Sequence, residues 1–95
     1  MARPKKQRRI CNHAPYQCFK PNGIELSALT QIDLMPDELE ALRLADQEGL
    51  SQLEAATKMN VSRQTFGNIV NSARHKVALC LVNGHALMMH HQNHE

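Results

Sequence analysis

Four side chains near the middle of the chain, Arg63, Gln64, Thr65 and Asn68, are of the types that read base edges in the major groove of a duplex. Arginine donates two hydrogen bonds to guanine, glutamine and asparagine each make two to adenine, and the threonine methyl packs on thymine. Phosphates ask only for positive charge and N–H or O–H groups. Lys58, Arg74 and Lys76, with Ser62 just before the four readers, are the candidates for that contact. A second cluster, Cys11, His13 and Cys18, falls within 8 residues and offers thiolate and imidazole, three of the four ligands of a tetrahedral zinc. His85, His90, His91 and His94 are candidates for the fourth, and soft donors also suit an iron–sulfur or redox-responsive site. The alternative is a pair of reduced thiols beside a surface histidine, because the paired Cys-x-x-Cys spacing is missing. A metal held here would staple an N-terminal segment poor in apolar residues rather than catalyse. Cys80, between Leu79 and Leu81, reads as a buried filler.

Charge is distributed in blocks. Lys and Arg number 11 against 9 Asp and Glu, a formal charge of +2. Arg3, Lys5, Lys6, Arg8 and Arg9 crowd the first nine residues without an acid, a basic arm suited to tracking a phosphate backbone or entering a minor groove. Between Glu25 and Glu54 stand eight acids (Glu25, Asp33, Asp37, Glu38, Glu40, Asp46, Glu48 and Glu54) and one base, Arg43. From Ala55 to Leu81 the only charges are Lys58, Arg63, Arg74 and Lys76. Two basic zones flanking an acidic middle point to a polyanionic partner.

The elements that must position these groups follow from punctuation and period. Pro4, Pro15, Pro21 and Gly23 make residues 11–35 an irregular or hairpin-like segment after the arm of residues 1–10. Leu29 to Met35 suits a short strand or a helical turn. Pro36, Asp37 and Glu38 start a first helix that runs to about Gln47, with Leu39, Leu42, Leu44 and Ala45 inward and Gly49 stopping it. Ser51 and Glu54 form a capping box for a second helix, with Leu53, Ala56 and Met59 at spacing three. Asn60 tolerates the left-handed turn that follows. Ser62 caps a third helix, the longest, whose inward residues are Phe66, Ile69, Val70, Ala73, Val77 and Leu81, and Asn83 and Gly84 end it. Ala86 to His90 is a candidate strand, pairing with the segment around Ile32, before a His-rich tail. The fold expected is mainly α, a three-helix domain over residues 36–84 with a small β element.

Gln52 to Asn71 meets the demands of a helix-turn-helix. Ala56 is the small residue where the helices cross, Asn60 takes the turn, and Ala55, Met59, Val61, Phe66 and Ile69 are the apolar plugs. The second helix of such a unit enters the major groove, which puts Arg63, Gln64, Thr65 and Asn68 on its reading side. Gly67, in the same stretch, costs about 1 kcal/mol of helix stability relative to Ala, and close approach of a backbone or partner is the reason expected for it.

The runs Phe19-Lys20-Pro21-Asn22-Gly23, Asp37 to Asp46, Glu48 to Gln52 and Val61 to Gly67 resemble a small prokaryotic family of uncharacterised predicted DNA-binding proteins. Their helix-turn-helix is similar to the promoter-reading fourth region of sigma factors. The resemblance covers nearly the whole chain up to Gly84 and implies a winged-helix-like or sigma-like DNA-binding fold; the His-rich end after Leu87 lies outside it.

The leading expectation is a sequence-specific DNA-binding protein, a transcriptional regulator acting on double-stranded DNA. A homodimer matches paired half-sites, with Val77, Leu81, Val82, Leu87 and Met89 as its candidate face. The alternative is a protein-interaction adaptor on the same scaffold, its acidic first helix meeting a basic partner. An enzyme is not expected, since no P-loop, nucleophile elbow or zinc-hydrolase helix is present. No apolar run approaches the roughly 20 residues of a membrane span, and Met1 to Arg9 leads into no signal core, so the sequence reads as soluble and cytoplasmic.

Overall fold

The computed structural model of the chain describes residues 16–89. They form β1 (Cys18–Phe19), a 3-10 turn (Leu26–Ala28), β2 (Gln31–Leu34), α1 (Pro36–Leu42) opening into a π-type turn (Arg43–Gln47), α2 (Gln52–Met59), α3 (Arg63–Asn83) and β3 (Ala86–Met89). The protein is mainly helical, three helices joined to a small three-stranded sheet. No helix among the described residues is long and apolar enough to cross a membrane. The basic arm and the tail histidines at 90, 91 and 94 lie outside the described residues.

α1 begins where Pro36 stands in the first turn and the Met35 N–H donates to Glu38 Oε1 at 2.9 Å. The expected run to Gln47 is not one regular helix. After Leu42 the turn widens, with the Glu48 N–H reaching back to the Arg43 carbonyl at 2.9 Å, and Gly49 then turns the chain at φ 73°. The extra residue keeps Leu44 fully buried while Asp46 and Glu48 reach Arg74 and Arg43. α2 carries the expected capping box, Ser51 Oγ accepting from the Glu54 N–H and Glu54 Oε1 accepting from the Ser51 N–H. Its inner face is Ala55, Ala56 and Met59; Leu53, expected inside, is 63% exposed. The two alanines let α2 lie close to its neighbours, and the helix is rotated so that they rather than Leu53 point inward.

α3 runs through two core clusters. Phe66, Ile69 and Val70 pack with Ala41, Leu44, Ala55, Ala56 and Met59, while Ala73 and Cys80 pack with Leu34 and Leu87 from the sheet. Leu81, expected inside, is 79% exposed, because the inward stripe passes from Ala73 through Val77 to Cys80. Of the face expected for a dimer, Leu87 is core, Val77 and Met89 pack against it, and only Leu81 and Val82 stand out in solvent.

β3 lies between the other two strands, antiparallel to β1 through Cys18↔Met88 and Phe19↔Leu87, and parallel to β2 from Gln31↔Ala86 to Leu34↔Met89. The expected pairing around Ile32 is thus Ile32↔Leu87. The N-terminal segment forms no hairpin of its own among the described residues; β1 uses the C-terminal strand as its partner instead. This parallel pairing carries the chain through all three helices between β2 and β3, and it anchors the end of α3.

Candidate nucleic-acid interface

The corner between α2 and α3 is built from local chemistry. Asn60 ends α2 in the left-handed region at φ 61°, ψ 43°, and the Val61 N–H returns to the Ala56 carbonyl at 3.0 Å. Ser62, extended at φ −70°, ψ 159°, then caps α3: its Oγ accepts from the Thr65 N–H at 3.0 Å and donates to Thr65 Oγ1 at 2.9 Å. Behind the corner, Phe66 and Met59 are completely buried. The first turns of α3 are therefore fixed by a cap in front and a core behind.

From that base Arg63, Gln64 and Asn68 project into solvent, and none has an ion pair or hydrogen bond to another described side chain. Thr65 differs. It is half-buried and its hydroxyl is engaged by Ser62, which leaves the methyl as its contribution to an outer surface. Lys58, in the last turn of α2, is also exposed; its charge acts on Glu54 one turn away, but it makes no ion-pair contact or hydrogen bond among the described residues.

The other two bases of the acid-free stretch have partners within the fold. Arg74 grips Asp46 through Nε at 3.0 Å and a terminal nitrogen at 2.8 Å, and the hydrogen bond holds the Asp46 carboxyl below, and the Arg74 guanidinium above, their ordinary pKa values. Lys76 donates to Glu38 Oε1 and to the Asp33 carbonyl, both at 2.8 Å, and Ser72 donates to Glu38 Oε2 at 2.6 Å. Burial alone would push the Glu38 carboxyl up, but the hydrogen bonds from Lys76, the Met35 N–H and Ser72 outweigh it and hold it below the ordinary range. Glu38 thus clasps α1, α3 and the end of β2 together. Sequence reading missed this role because its partners lie 34 and 38 residues away and no local pattern links them. Beside the clasp a depression of about 410 Å³, lined by Asp37, Thr65, Asn68 and Ser72 among others, borders the exposed face.

Of the metal candidates, Cys11 and His13 lie outside the described residues. Cys18 sits half-buried in β1, and among the described residues no three His, Cys, Asp or Glu side chains gather in a way that could hold a metal ion. Cys80 is buried, and burial pushes its thiol pKa up.

Fold and face together define a small, mainly helical domain with a three-stranded sheet, the start of its longest helix presented to solvent. The chain belongs to the family DUF134, described as a protein of unknown function, whose model matches residues 1–95. It is 64% identical over 88 residues to a UPF0251 protein of Vibrio parahaemolyticus, covering 93% of this chain and 92% of that one. Similar proteins occur in Vibrio vulnificus, 58% identical over 100% of this chain and 95% of the other, and in Shewanella sediminis, 52% identical over 100% and 99%. No solved structure matches the chain.

Proposed function

We propose that the protein binds double-stranded DNA sequence-specifically, as a transcriptional regulator, by seating the start of α3 in the major groove. The observation that carries this reading is the division among the side chains of the acid-free stretch. Arg74 and Lys76 are tied to carboxylates of the fold, whereas Arg63, Gln64 and Asn68 stand exposed and unpaired on a rigidly capped helix, with Lys58 nearby. Exposed donors of these types at the head of a helix suit base edges. Lys58 supplies a phosphate contact, and the arm with Arg3, Lys5, Lys6, Arg8 and Arg9 supplies attraction that does not depend on sequence.

Selection of bound fragments from random DNA, followed by titration of the selected and a scrambled duplex over a range of salt, tests the reading. Affinity is expected to fall steeply as salt rises. Arg63→Ala is expected to cost about 1–3 kcal/mol on the selected duplex and much less on the scrambled one. Removing residues 1–9 should weaken both alike. Equal effects of the two changes on the two duplexes refute the division of roles, and affinity for no duplex at all refutes the function.

A further inference from the structure

Three of the four glycines stand where the backbone is left-handed, at φ 81° for Gly23, 73° for Gly49 and 72° for Gly84. Gly67 does not. It lies in the second turn of α3 with ordinary helical backbone, where a missing side chain weakens the helix. Interior packing gives no reason for it either. Among the described residues, a Cβ at Gly67 would meet only Gln52 Oε1, at 3.9 Å, which is normal van der Waals distance. Neither its conformation nor the described core requires glycine here, which points to close approach of something beyond the described residues to this stretch of backbone.

The surroundings say what approaches. Gly67 is one helical turn beyond Arg63 and Gln64, so the three share one side of α3. Gln52, the first residue of α2, stands across from it and is exposed. The acid closest in sequence, Glu54, is held by the Ser51 N–H at 3.0 Å. A bare glycine offers nothing with which to read a base, whereas a smooth backbone beside a primary amide suits a sugar–phosphate chain. We propose that this notch, floored by Gly67 and flanked by Gln52, seats the sugar–phosphate backbone of one DNA strand, with the Gln52 amide donating to a phosphate oxygen. The proposal rests on the DNA-binding reading and adds to it the seat of one strand and two residues that form it.

Titration of the selected and scrambled duplexes with full-length wild type, Gly67→Ala and Gln52→Ala, beside thermal melts of the free proteins, tests it. Gly67→Ala is expected to melt at or above wild type and yet bind both duplexes about tenfold more weakly. Gln52→Ala should weaken both duplexes alike with the salt slope unchanged, because the lost amide carries no charge. A Gly67→Ala protein that binds both as tightly as wild type overturns the proposal. So does a loss confined to the selected duplex, which would place Gly67 against base edges. A wild type without affinity for any duplex defeats the DNA-binding reading first, and the notch with it.

Discussion

Glu38 shows how much of this fold rests on single side chains. Its carboxylate accepts from Lys76, Ser72 and the Met35 N–H while only 7% of the residue is exposed, so its charge is stabilised by partners rather than by water. Glu38→Gln keeps the shape but leaves Lys76 without its counter-charge, and urea unfolding at about neutral pH should show a loss of about 1.5–3 kcal/mol. The sign of the pH dependence follows from the lowered pKa. The stabilisation is fully present above the carboxyl's unfolded pKa and is lost as pH falls through the lower folded value. The gap between wild type and Glu38→Gln should therefore narrow as the pH is lowered through and below the ordinary carboxylate range, and a gap that stays constant contradicts the clasp. Arg74 and Lys76 illustrate why site residues are harder to read than elements. Their types suggested phosphate contacts, and the fold also pairs them with Asp46 and Glu38, far off in the chain and brought near only by folding.

Elements defined by local chemistry were legible. The Ser51–Glu54 box, left-handed Asn60 and the Ser62 cap each involve groups a few residues apart, and each stands where its residues imply. Leu53 and Leu81 were misplaced because spacing alone leaves helix rotation open by about one residue, and the small Ala55 and Cys80 fit the crowded side better. The widened turn over Arg43–Gln47 has no punctuation of its own and was read as plain helix. At the corner, Phe66→Ala should cost about 3–5 kcal/mol, since Phe66 is completely buried where α1, α2 and α3 meet; an unchanged melting temperature would show that it is not the plug. Asn60→Gly should be close to neutral, while Asn60→Val, forced into φ 61°, should lose about 1–2 kcal/mol in the same melts.

At the scale of the whole molecule, the parallel pairing of β2 with β3 joins segments separated by all three helices, and α3 contributes to both core clusters. The segment around Ile32 read as a short strand or a helical turn and its partner as a strand, and the fold makes both strands; β1 was not legible, since two residues carry no periodicity and exist as a strand only because β3 is beside them. Because α3 is shared, neither cluster can loosen without disturbing the other, and the described residues should unfold as one unit. Leu87→Ala, in the central strand, should then cost about 2–5 kcal/mol and lower a single melting transition rather than split off an early one. Cys80 reports the same event chemically. Buried in that cluster, with its thiol pKa raised, it should react slowly with a thiol reagent in a Cys11→Ser, Cys18→Ser background. The logarithm of its rate should rise in Leu87→Ala in proportion to the lost global stability. Fast labelling of Cys80 while the helical circular dichroism stays intact would instead mean that the sheet opens alone, and that α3 is held in place by the helical corner without help from the strands.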